Sequence, residues 1–222
     1  MSLAAERRPR GRAQQRRRTA LIAAKYLSKK DTRLKRLIAQ IGPHRPTITP
    51  DPFAALVGAI TQQQVSMNAA AAIHQRVRAL CGRVTPAAIL ALDDSELRGA
   101  GLSRQKTRYV RGIAEAFASG VLSTRKLRRM SDEDVIAATT RLAGVGRWTA
   151  EMLLIFCLER PDVWPIDDLG LQRALRRFLK VERLPAVAAL RALAEPWCPY
   201  RSYATWYLWR SLEGPLMPGI AL

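Results

Sequence analysis

The sequence predicts an all-α fold with short connections. Three observations lead there. Apolar residues recur at helical spacing along most of the chain, capping residues stand ahead of those runs, and no stretch alternates apolar and polar residues as a half-buried strand would. At 222 residues with 48% hydrophobic content, the chain can bury a sizeable core as one large domain or two small lobes. Its formal net charge is +19, a field that favours a polyanionic partner. A ribosomal or nucleoid-coating protein would share that charge, but such proteins have smaller cores and no buried acidic pair. The three cysteines, Cys81, Cys157 and Cys198, lie far apart with no CxxC spacing. They exclude a disulfide framework and a four-cysteine metal or iron–sulfur cluster, and they fit a reducing compartment. No apolar run reaches membrane-spanning length.

Taken in order, residues 1–18 form a basic arm with Arg7, Arg8, Arg10, Arg12, Arg16, Arg17 and Arg18 against one acid, Glu6. It has little to bury, so a mobile or loosely helical segment is expected. No apolar segment of secretory-signal type follows it. Transit peptides share the Arg-rich pattern, but Ala and Arg are abundant throughout, which favours a compositional bias. The arm is then either a DNA-touching element or a solvated tail. Residues 19–41 read as one basic amphipathic helix, with Leu27, Leu34, Leu37, Ile38 and Ile41 near helical spacing and Gly42-Pro43 as its stop. Residues 46–52 read as an extended linker. Residues 53–80 read as two helices around the interruption Thr61-Gln62-Gln63-Gln64-Val65-Ser66, where Ser66 can cap the second. That interruption is either a polar helix end or a wedge loop that fills a gap in a base stack.

Thr85-Pro86 starts another helix, and Asp93/Asp94 cap a short one. Gly99–Gly101 make a turn, and Ser103 opens a helix through Ala118 whose beginning is basic with Arg104, Lys106, Arg108 and Arg111. Residues 120–130 read as a Lys/Arg-rich linker. Ser131-Asp132-Glu133-Asp134 resembles a capping box. After Asp168 a helix runs to about Lys180, Leu184-Pro185 starts the next, Pro196 and Pro199 break it, and residues 200–212 form a last helix rich in Tyr and Trp.

The chain is organised around residues 142–175, LAGVGRWTAEMLLIFCLERPDVWPIDDLGLQRAL. Gly144 and Gly146 frame a short turn whose backbone can take positive φ and approach a partner closely. With helices on either side this is a helix–hairpin–helix. Its backbone N–H groups at a helix N-terminus favour an anion such as a phosphate. One helix later, Asp167-Asp168 opens the next helix. By spacing alone Asp168 is a helix N-cap; beside a phosphate clamp it is also a candidate for chemistry on nucleic acid.

Four segments resemble the helix–hairpin–helix (HhH-GPD) DNA glycosylases, and among them the AlkA-like 3-methyladenine DNA glycosylases II. They are GAITQQQVS at residues 58–66, LAGVGRWTA at 142–150, PIDDLGL at 165–171 and WCPYRSYATWYLW at 197–209. The resemblance covers roughly residues 31–213. It implies a two-lobed helical fold without the N-terminal β domain of the larger bacterial members. One lobe would span about 58–165, the other 19–57 plus 166–222, with the DNA cleft between them. It implies a monofunctional glycosylase that hydrolyses the N-glycosidic bond of alkylated purines in base excision repair, 3-methyladenine first and 7-methylguanine as a further candidate. The rival readings are the same fold acting on deaminated or oxidised bases, and a non-catalytic DNA-binding module.

The resemblance assigns Asp168 as the catalytic carboxylate and leaves Asp167 as a helix cap or structural acid. One carboxylate suffices chemically, because an N-alkylated purine already carries positive charge and leaves as a neutral base. The anion then stabilises the oxocarbenium sugar and orients water. Lyase relatives place a nucleophilic lysine two residues after the second hairpin glycine; here that residue is Trp148, so no Schiff base is expected. Trp148 and Trp209 become candidate pocket walls that stack on an extruded base, with ordinary core packing as the alternative for either. Met152 stands where relatives place another aromatic, and it implies a wider or differently selective pocket. Gln64 matches the wedge position, Gln63 precedes it, and Gly144, Gly146 and Arg147 meet the DNA backbone. The carbonyls of Thr140, Leu142 and Val145 match those that hold a structural Na⁺ or K⁺; no cofactor is otherwise required. The expected partner is double-stranded DNA with a damaged base, the expected state a monomer, and the expected location the cytoplasmic nucleoid of a bacterial-type cell.

Overall fold

Asp31 separates two helices where the sequence reads one. In the computed structural model, which describes residues 4–213 (without the side chains of residues 4–10 and Arg12), α1 spans Ala4–Lys30 and α2 spans Thr32–Ile41. The Asp31 carboxylate accepts from the backbone N–H groups of Arg33 and Leu34, which makes it the N-cap of α2. The single helix predicted over 19–41 is therefore corrected. Leu27 and Leu34 are both fully buried on either side of the break, so apolar periodicity runs straight through it. Gly42, at φ +83°, ends α2. Helical backbone already begins at Ala4, so the arm runs into α1; its first three residues and the side chains of Arg7, Arg8, Arg10 and Arg12 lie outside the described residues.

Asp51 and Pro52 start α3 (Pro52–Gln62), and Ser66 caps α4 (Met67–Cys81). Thr85 caps α5 (Pro86–Ala91), and Asp93 with Glu96 makes a full capping box for α6 (Asp94–Gly99). Ser103 caps α7 (Arg104–Ala118). The linker predicted over 120–130 is corrected, because it contains α8 (Thr124–Arg129), capped by Ser123 and anchored by the fully buried Leu127. One turn and a half with a single apolar residue offers no period to read. Ser131 caps α9 (Asp132–Thr139), the hairpin follows, and α10 spans Arg147–Phe156. Then come α11 (Leu169–Leu179), α12 (Val187–Ala194), a short 3₁₀ turn at Glu195–Trp197, and α13 (Arg201–Arg210). No strand occurs among the described residues, and no helix among them is long and apolar enough to cross a membrane.

The chain divides into two compact units. Ile48–Glu159, holding α3 to α10, is one. The other joins the chain up to Thr47 to the chain from Arg160 onward. In the first, α3 buries Phe53, Leu56, Val57 and Ile60 and packs on α7 and α10. In the second, Leu27, Leu34, Leu171, Leu175, Leu190, Trp197 and Leu208 form one core. The segment after Arg160 is tied to α13. Ser202 Oγ donates to the Arg160 carbonyl and accepts from the Val163 N–H, and the Arg201 guanidinium grips the Asp162 carboxylate at 2.7 and 2.8 Å. His44 packs its ring against Tyr203 and Trp206, with centroids 4.5 and 4.7 Å apart. Burial there pushes its pKa down to about 4, so it sits neutral among the aromatics of α13.

Candidate functional site

Within the first unit, the hairpin between α9 and α10 is built around Gly144. Its φ is +84°, and a Cβ placed on it would lie 2.2 Å from Cδ2 of Tyr109 on α7. Only glycine allows both the left-handed backbone and the flat approach of that ring. The Leu142 carbonyl accepts from the Val145 N–H and closes the turn. Gly146 then stands as the N-cap of α10 with no side chain to offer. The first N–H groups of α10 are thus presented without a capping side chain, at the positive end of a ten-residue helix. Such a terminus suits a phosphate.

The turn after α3 is joined to this hairpin. Gln63 is half-buried, and its Nε2 donates to the Gly144 carbonyl at 2.9 Å. Lys106 Nζ, from α7, donates to the Thr61 and Gln63 carbonyls at 2.9 and 2.6 Å. Partial desolvation lowers the Lys106 pKa. These contacts hold Gln64 at φ +54°, a left-handed conformation unusual for a non-glycine residue, with its side chain exposed. Trp148 is half-exposed and Met152, one turn later on α10, is half-buried. Arg147 is not a loose cation. It meets Glu133 of α9 at 2.8 Å and Glu151 of its own helix at 3.2 Å, and pairing with Glu133 foremost raises its pKa.

Thr140 is the C-cap of α9, and Leu142 and Val145 follow it in the hairpin. The Leu142 carbonyl accepts from the Val145 N–H and keeps a second lone pair. Neutral oxygens of this kind suit a hard monovalent cation better than they suit a transition metal. No cluster of three or more His, Cys, Asp or Glu that could hold a metal ion occurs among the described residues.

Within the second unit, Asp168 is nearly buried, at 9% exposure, and caps α11. Its Oδ1 accepts from the Leu171 N–H at 2.5 Å and from the Trp209 indole N–H at 2.8 Å. Gly170 leaves room for this arrangement, since a Cβ there would come within 3.1 Å of Oδ1 and 3.3 Å of the Trp209 nitrogen. The carboxylate is thereby fixed in direction by one backbone and one aromatic donor. Asp167, expected as a helix cap or structural acid, is exposed, and the cap is Asp168, as its spacing predicts. The reason is register: Asp168 directly precedes the first helical residue, so only its side chain reaches back to the Leu171 N–H.

Of the residues named from sequence, the structure joins Gln63 to Gly144 and Asp168 to Trp209. It adds Tyr109, Lys106, Glu133 and Gly170. Lys106 was visible only as one cation in a basic helix start. Gly170 had a local signal in the Asp-Asp-Leu-Gly run. Tyr109 and Glu133 act across 35 and 14 positions respectively and had none.

Residues 57–199 match the HhH-GPD superfamily of base excision DNA repair proteins. The chain is 35% identical over 201 residues to the DNA-3-methyladenine glycosylase 1 of Schizosaccharomyces pombe, covering 87% of this chain and 88% of that one. The solved structure of the 3-methyladenine DNA glycosylase of the same yeast with abasic DNA matches with a TM-score of 0.77 at 34% identity, over 88% of this chain and 98% of that chain. A DNA-3-methyladenine glycosidase from Bacillus halodurans matches with a TM-score of 0.80 at 34% identity, over 86% and 89%.

Proposed function

Because the chain belongs to the HhH-GPD superfamily of base excision DNA repair proteins, we propose that it excises alkylated purines from double-stranded DNA by hydrolysing the N-glycosidic bond. The observation that carries this reading is Asp168, a nearly buried carboxylate aimed by Leu171 and Trp209. As the bond from C1′ to the alkylated purine breaks, the positive charge of the base moves to the sugar. The base leaves neutral, the carboxylate stabilises the oxocarbenium centre, and water adds at C1′ and releases a proton. Substrate chemistry favours 3-methyladenine, with 7-methylguanine as a second candidate.

In this reading Trp148 and Trp209 each offer an aromatic ring to an extruded base, and Met152 replaces a third aromatic with a pliable thioether. Gln64 enters the stack where the base has left, steadied from below by Gln63 and Lys106. Gly144, Gly146 and Arg147 meet the phosphates. A Na⁺ or K⁺ held by the carbonyls of Thr140, Leu142 and Val145 would link the hairpin to one phosphate. The protein works as a monomer at the nucleoid, with no other cofactor. One observation favours a second reading: Asp168 is also a fully competent helix cap, as a non-catalytic DNA-holding protein would have it. A panel of alkylated, deaminated and oxidised duplexes, assayed with the wild type and an Asp168 variant, separates the two.

Two further results are expected. The product is an intact abasic site, because Trp148 offers no amine at the hairpin position. Strand breaks therefore appear only after added alkali or heat, and borohydride traps no covalent adduct; a trapped adduct contradicts the assignment. Secondly, Glu133→Gln strengthens DNA binding. Glu133 is exposed and holds Arg147 in a surface ion pair worth at most about 1 kcal/mol. Loosening that contact, with the Glu151 contact at 3.2 Å still in place, raises affinity by at most about fivefold at low salt, read by fluorescence anisotropy. Unchanged or weaker binding removes Arg147 from the phosphate contacts.

A further inference from the structure

The far end of α11 has a feature that excision does not use. Arg173, Arg176 and Arg177 occupy positions i, i+3 and i+4 and share one exposed face of α11, opposite the buried Leu171, Ala174 and Leu175, and Lys180, the left-handed C-cap that follows the helix, is exposed as well. With Val181, Glu182 and Leu212 they line an open depression of 720 Å³. Glu182 is the one acid among these residues. None of the four cations forms an ion pair with a described residue. Neighbours of like charge at these spacings repel, while the helix dipole favours Arg176 and Arg177 in the last turn of α11 and Lys180 at its C-cap. The stripe extends about 10 Å along the axis.

The position on the helix sets the stripe apart from the reaction. Asp168 caps the N-terminus, and the stripe begins five residues on and ends twelve residues on, about 8 to 18 Å along the axis. Its side chains project sideways from that axis.

We propose that Arg173, Arg176, Arg177 and Lys180 form a second DNA surface, which takes the phosphate backbone of a duplex other than the one held at Asp168. The protein then passes directly from one DNA segment to another through a doubly bound state. This rests on DNA being the partner, and not on which base is excised.

The test compares the wild type with the variant Arg173→Gln/Arg176→Gln/Arg177→Gln/Lys180→Gln. A fluorescent duplex containing an abasic-site analogue is preloaded, and release is followed by stopped flow against rising concentrations of undamaged competitor duplex. For the wild type the release rate rises with competitor, at least about tenfold over the range. For the variant it is flat, while single-turnover excision from a short 3-methyladenine duplex stays within twofold. The salt slope for binding undamaged DNA becomes less negative by about 3 to 4. An all-lysine version of the three arginines restores transfer, since charge alone is required. Competitor-dependent release by the glutamine variant overturns the proposal. So does a parallel loss of excision, which would place the stripe in the lesion complex, and so does preferential binding of phosphatidylglycerol vesicles through these residues. Transfer without excision by either protein would sink the glycosylase reading and leave this one standing.

Discussion

Asp168→Asn lowers the single-turnover release of 3-methyladenine by about two to three orders of magnitude and leaves DNA affinity within about threefold. The size follows from what the substitution removes. An asparagine keeps the shape of the residue and is as good an N-cap as aspartate, so the Leu171 N–H and the Trp209 indole still find an acceptor oxygen. The helix, the aromatic contact and the fold stay in place. What is lost is the negative charge beside the sugar. Removing one preorganised electrostatic partner of a transition state typically costs a factor of about 10²–10³, or about 2.7–4 kcal/mol. Affinity is measured on a duplex with an abasic-site analogue, and stability by thermal melting. An unchanged melting temperature with lost excision identifies the carboxylate as catalytic. Wild-type release by the variant refutes that role and leaves Asp168 as a cap alone.

Gly144→Ala has the largest expected effect on the hairpin. Two penalties add. The backbone at φ +84° is unfavourable for any residue with a Cβ, by about 1–2 kcal/mol. The new methyl also lands 2.2 Å from the Tyr109 ring, where relief needs displacement of α7 or of the turn; overpacking of this kind costs about 1–3 kcal/mol. A total loss of about 2–5 kcal/mol is expected, with DNA affinity down at least tenfold because the N–H groups of the turn move with it. Gly120→Ala is the matched control. Its φ is +75°, but nothing lies within 4 Å of the added carbon, so only the backbone penalty applies. Equal destabilisation by the two substitutions would show that the Tyr109 contact does not hold the hairpin.

Helix starts were legible because capping is local. Ser66, Thr85, Ser103 and Ser131 each stand directly ahead of the helix that they cap, and each accepts the expected backbone N–H. The break at Asp31 was hidden by apolar spacing that continues across it, and α8 by having a single buried leucine. At the site, spacing predicts the cap at Asp168 but not its second partner; Trp209, 41 positions later, supplies that by hydrogen-bonding the same carboxylate. Likewise, a lysine in a basic run gives no hint that its ammonium spans two carbonyls at the end of α3. Local chemistry is written in neighbouring residues, whereas support from a distant element appears only when the chain is folded.

The left-handed turn at Gln64 has a kinetic implication. Gln63 and Lys106 fasten that turn in the free protein, so its shape is not acquired at encounter. A loop that had to condense on each duplex would give up ordering entropy at every base it inspected, damaged or sound. A tip fixed beforehand avoids that loss. If Gln64 enters the base stack as proposed, its dwell on intact DNA is governed by how easily the local stack opens, and lesions that loosen stacking are sampled first.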